Sequence, residues 1–322
     1  MLLVLARLAF GGATLEAAPL PLTERPEVAA PVGGWWTEDG VWGRVYASYD
    51  DRVTARRLAD HANARVPVLA ERLGVPAGGL LEIYVAPDQA AFDAIQPGAP
   101  PDWADGTAWP LRGLVFLRSP SVRPGTAEPL EQVLDHEIVH VLVGRAFAPR
   151  VAPRWLQEGL AQYATGELGP ETVDAMGGPM SLAAVTRGFH GDPLEARRAY
   201  AASADLLAFV AGRHGEDAVR RLLAEMAAGR ELDEGLRAAT GAGVAEIEAA
   251  WQARWSDPSL WVRALAREEL LWGGAAGLFV LGWWKRRARA QRRLQRMAEE
   301  ERLADEAAAA RWEGAFGHPI VH

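Results

Sequence analysis

Apolar positions along this chain follow two rhythms, first a period of two and then a period near 3.6. Val41–Tyr49 alternates valine and aromatic residues with polar ones and predicts a strand. Arg52–Leu73 gathers its apolar residues on one helical face and runs into Gly74, which closes the helix. Leu80–Val85 predicts a second strand stopping before Pro87, and Asp88 caps a short helix through Ile95. Pro97–Asp105 reads as a loop and Gly113–Arg118 as a third strand. From Glu128 to Trp255 the pattern is helical almost throughout, and no internal repeat interrupts it. The expected class is therefore α+β, a small N-terminal mixed sheet followed by a mostly helical part.

One predicted helix carries chemistry. His136-Glu137-Ile138-Val139-His140 sits in an apolar stretch containing Leu130, Leu134, Val141 and Leu142. Residues four apart stack on one helical face, so both imidazoles reach a common point. With seven histidines in 322 residues, chance would produce such a motif on the order of once in a hundred chains of this make-up. A buried His-Glu-His cluster also needs a partner, and a metal ion supplies one. Eighteen residues after His140, Glu158 lies in Arg154-Trp155-Leu156-Gln157-Glu158-Gly159-Leu160-Ala161-Gln162-Tyr163. Two histidines and one carboxylate leave a fourth position open, the pattern of a catalytic rather than a structural zinc site. Glu137, beside the ion, is placed to take a proton from water.

These two motifs, with Ala199–Ser203, His214-Gly215, Ala239–Gly241 and Ile247–Trp251 downstream, resemble the gluzincin metallopeptidases of the peptidase MA-like group. The resemblance covers about residues 41–255 and implies a zincin-like domain there. It implies one Zn2+ per chain held by His136, His140 and Glu158, with Glu137 as catalytic base, and a peptide or protein as substrate. It also implies that Thr107–Leu117, before the zinc helix, is the sheet edge where an extended substrate pairs. Thermolysin-like gluzincins place an aspartate four residues after the third ligand, where it supports a zinc-bound histidine. This chain has Gln162 there, which lacks the charge. An oxyanion donor besides the metal is expected at Tyr200, which matches the family stretch, with His190 as the other candidate. Tyr163 is expected to pack beneath the site.

The ends carry different signals. Residues 1–18 read as a signal peptide, and prolines mark 19–40 as a linker. Leu270–Trp284 is uncharged and is followed by a dense run of arginines. It reads as a transmembrane helix at 270–284, after a juxtamembrane segment 256–269 and before a cytoplasmic tail 285–322 that is basic, then acidic. Membrane lipid is the expected partner of that helix, and the metal-binding domain then faces outside the cytoplasm. The chain contains no cysteine, which excludes disulfides and thiolate ligands. A formal net charge of −8 gives no reason to expect nucleic-acid binding. Two other readings stay open: a non-catalytic zincin-like module that binds an envelope component, and metal-assisted hydrolysis of a bond other than a peptide.

Overall fold

The computed structural model describes residues 33–95, 104–123, 128–167, 178–189 and 193–256, the single residues 28 and 30, and short stretches at 279–280 and 283–287. The chain divides into two units, Met1–Ala264 and Leu265–His322. In the second, residues 279–280 and 283–287 are helical, and the Arg287 guanidinium lies 5.4 Å above the Trp283 ring. Among the described residues no helix is long and apolar enough to cross a membrane. The signal-peptide reading at 1–18 and most of the transmembrane reading at 270–284 lie outside the described residues.

The first unit holds a five-stranded mixed sheet. Its strands are β1 (Trp36–Asp39), β2 (Gly43–Ala47), β3 (Leu81–Ala86), β4 (Gly106–Trp109) and β5 (Leu114–Arg118), in the order β1-β2-β3-β5-β4. The inner pairs β2–β3 and β3–β5 are parallel, and β1 and β4 join the two edges antiparallel. The strand expected at Val41–Tyr49 is present as β2, and it pairs with β1, which lies inside the stretch read as linker. One expectation is corrected: Thr107–Leu117 is not one edge strand but a hairpin, in which β4 is the edge and β5 is interior.

Alternation along the inner strands gives the sheet two apolar faces. Val45, Ile83, Val85, Val115 and Leu117 point into the larger core. Tyr46, Tyr84 and Phe116 point the other way and form a cross-strand ladder with centroids 4.6 Å and 5.4 Å apart. The helix α1 (Arg52–Leu73) covers the first face with Leu58, Ala62, Val66 and Leu69, and ends at Gly74 in the left-handed conformation (φ 69°). The short α2 (Gln89–Ala94) is capped by Asp88, whose side chain accepts from the Ala91 amide, and it places Phe92 against the aromatic face.

The rest of the unit is helical: α3 (Leu130–Phe147), α4 (Arg154–Thr165), α5 (Leu182–Gly188), α6 (Pro193–His214), α7 (Glu216–Ala227), α8 (Leu232–Thr240) and α9 (Val244–Ala253). The helix α3 packs between the sheet and α4, and α4 packs on α6. Gly159 makes that last contact close: a Cβ there would lie 3.0 Å from the Ser203 backbone. Any larger residue would push α4 and α6 apart.

Candidate metal centre

Apolar residues surround α3 on nearly every side, so its polar residues are carried into the interior. Contacts at both ends hold it there. Asp135 lies 2.8 Å from His61 Nε2 and accepts a 2.8 Å bond from Arg65 Nε, both on α1. Toward the C-terminus, Arg145 donates to the carbonyls of Ala77, Gly79 and Leu80 at 2.8–3.1 Å. Next to it, Gly144 passes so near Pro110 that a methyl group would collide.

His136 and His140 stand one turn apart on this helix, with ring centroids 4.9 Å apart. Each turns Nε2 toward Oε2 of Glu158 on α4, at 3.6 Å in both cases. The three donor atoms all lie within 4.8 Å of one another. A tetrahedral zinc with bonds of about 2.0–2.1 Å keeps its ligand atoms about 3.4 Å apart. The cluster therefore fits a divalent ion with small adjustment, and its three donors leave one corner of the tetrahedron open. The two imidazoles and the carboxylate that the sequence singles out can hold a metal ion together.

Glu137 is not among the three converging donors. Its side chain is 7% exposed and runs beside β4, where a Cβ on Gly106 would lie 3.1 Å from Glu137 Oε1. Burial pushes its carboxyl up to about 7; His136 opposes the rise, and the charges of Glu158 and Glu167 add to it. The same burial lowers His140 to about 4, only partly offset by Glu158. Burial acts against the His136 cation as well, but Glu167 and Glu158 outweigh it and carry this imidazole well above its ordinary range. Burial likewise disfavours the Glu158 anion, which the two histidines nonetheless hold below the usual carboxylate value.

Tyr200, on α6, reaches the cluster. Its hydroxyl donates to Glu158 Oε1 at 3.3 Å and accepts from Arg154 Nη2 at 2.9 Å. Burial and the Glu158 charge both raise the Tyr200 pKa, so the phenol keeps its proton. His190, the other donor candidate, lies outside the described residues. Tyr163 is buried, with the Arg72 guanidinium 5.1 Å from its ring centroid.

Two residues at the site escaped the sequence reading. Arg154 sits one turn before Glu158, with Nε 3.8 Å from Glu158 Oε1 and its guanidinium over the Phe189 and Tyr200 rings. Its i,i+4 spacing was the available signal. Glu167 lies just past the end of α4, and its Oε1 is 3.0 Å from His136 Nδ1. Its signal was weaker: a carboxylate directly after Gly166, the glycine that ends a ligand-bearing helix. Gln162, at the position where thermolysin-like enzymes carry aspartate, meets this region through its backbone carbonyl, which accepts the Glu167 amide at 3.0 Å.

No curated protein matches the chain. The family model of the peptidase MA superfamily matches residues 61–256, a span that takes in α3, α4 and the three converging donors, and the chain belongs to that superfamily.

Proposed function

We propose that the first unit is a zinc-dependent peptidase in which His136, His140 and Glu158 hold the ion. The observation that carries this reading is the convergence of three donor atoms beside a buried carboxyl poised near neutrality. Zinc, when bound, acts as a Lewis acid toward a carbonyl and brings the pKa of water in its open position toward 7.

The chain's own residues divide the remaining work. Glu137 is the general base: its carboxylate takes a proton from the attacking water and returns it to the leaving amine nitrogen. A carboxyl titrating near 7 suits both transfers. Tyr200 donates its hydroxyl proton to the developing oxyanion. Arg154 has only protons to give, so its bond to the Tyr200 oxygen leaves the phenolic proton directed at Glu158. At the sheet edge, β4 takes an extended peptide as an added strand, and Gly106 gives the backbone there a close approach to Glu137.

The cellular setting is read from the ends of the sequence. The uncharged segment 270–284 anchors the chain in a membrane, and the arginine-rich stretch after it stays in the cytoplasm, which leaves the peptidase unit outside.

The test compares the full chain with Glu137→Gln for zinc content and for hydrolysis of a peptide library. One zinc per chain in both, with turnover lost only in the variant, is the expected result. Zinc in both without turnover in the wild type would favour a zincin-like binding module, and no zinc in either would overturn the proposed site.

A further inference from the structure

The two histidines share Glu158 on their inner side but differ on their outer side. His136 Nδ1 is met by Glu167 Oε1 at 3.0 Å, whereas His140 Nδ1 is buried with no hydrogen-bond partner among the described residues. Glu167 is held in place from several directions. Gly166 adopts the left-handed conformation at the C-cap of α4 (φ 80°), a turn that favours glycine, and this reverses the chain. The Glu167 amide then bonds back to the Gln162 carbonyl at 3.0 Å, and the Thr165 hydroxyl donates to Glu167 Oε1 at 2.7 Å. The same hydroxyl lies 2.7 Å from the Ala161 carbonyl, which shares its single proton with the carboxylate.

From this arrangement we infer that Glu167 is the positioning residue of the metal site: it accepts the Nδ1 proton of His136 and so commits Nε2, unprotonated, to the metal. It does so nine residues after Glu158, from beyond the helix end, in place of the aspartate that thermolysin-like enzymes carry four residues after the third ligand. The assignment rests on His136 being a ligand. A carboxylate on the outer nitrogen fixes both tautomer and ring orientation and makes the inner nitrogen a stronger donor. One α4 segment thus supplies a ligand through Glu158 and the support for a second ligand through Glu167.

The experiment measures zinc affinity of the full chain by competition with a chromophoric chelator, using zinc alone and no substrate. Glu167→Gln keeps the size of the side chain and removes its charge, and it should weaken zinc by about 10- to 100-fold. Thr165→Val, which leaves the carboxylate in place but removes its 2.7 Å anchor, should weaken zinc by about threefold. In zinc-loaded wild type the His136 Nδ1 proton should give a strongly downfield resonance that shifts upfield in Glu167→Gln. Should that variant fail to fold, Thr165→Val and the wild-type resonance decide the matter. Zinc affinity within twofold of wild type in the folded variants would overturn the assignment while leaving the metal site standing. A wild-type chain that binds no zinc would remove both.

Discussion

His136 and His140 lie on one helix, one turn apart, and approach the same carboxylate oxygen at the same 3.6 Å. Their inner sides are equivalent because helix geometry makes them so. Their outer sides belong to different parts of the molecule. Glu167 reaches His136 from the end of α4, while His140 Nδ1 is enclosed without a partner among the described residues. Burial disfavours both cations; at His140 it prevails, whereas at His136 the charges of Glu167 and Glu158 outweigh it. A metal-binding motif specifies where donor atoms converge; the protons those atoms carry are set by chain far from the motif.

The largest effect that bears on this comparison comes from removing either imidazole. His136→Ala and His140→Ala should each weaken zinc on the order of a thousandfold or more, because each deletes one of three donors. Large losses for both in an equilibrium zinc titration would establish both as donors, with the greater loss expected at His136, which also carries the Glu167 support. A loss of only a few fold for one would remove it from the donor set.

A second effect, of intermediate size, concerns the carboxyl between the two histidines. Glu137 titrates at about 7 in the fold against an ordinary 4.5. A carboxyl raised in this way supports the fold fully below its unfolded pKa, and that support is lost as pH rises through the folded value. Glutamine has no proton to lose. In zinc-free protein Glu137→Gln should therefore exceed wild type in stability by up to about 3 kcal/mol at pH 9, with the difference gone by pH 4. Urea denaturation at the two pH values checks both the size and the sign. A stabilisation that persisted at pH 4 would point to packing instead of charge.

The smallest expected change is at Gly166, which touches only the outer side. Gly166→Ala meets open space but must adopt a left-handed backbone (φ 80°). It should cost about 1 kcal/mol in thermal stability. It should also weaken zinc less than Glu167→Gln does, since the carboxylate remains and only its aim is disturbed. An effect on zinc as large as that of losing the charge would mean that the turn itself shapes the site.

Much of this arrangement was legible before the fold was known, because its causes are local. The stop at Gly74, the cap at Asp88 and the inward stack of His136 and His140 each follow from rules that act over one or two helical turns. The inner strands β3 and β5 were legible because their apolar runs are long. The edge strands were not: β1 and β4 have four residues each and form only by pairing with a neighbour that the local pattern does not name. Glu167 was missed for a related reason. Helical spacing looks four residues past Glu158 and finds Gln162, whereas the supporting charge arrives after a left-handed turn that ends the helical register. Its meeting with His136, 31 residues away, exists only in three dimensions.

The near-contact between Gly159 and the Ser203 backbone has a mechanical consequence. Packed helices slide past one another by repacking the side-chain layer between them. Where main chain meets main chain that layer is thin, so α4 and α6 resist sliding past one another at this crossing. Glu158 and Tyr200 ride on that pair, while the two imidazoles ride on α3, which Asp135 ties to α1 and Arg145 ties to the loop before β3. A relative shift of these two blocks would alter the spacing of the imidazoles from Glu158 more than the spacing of Tyr200 from Glu158.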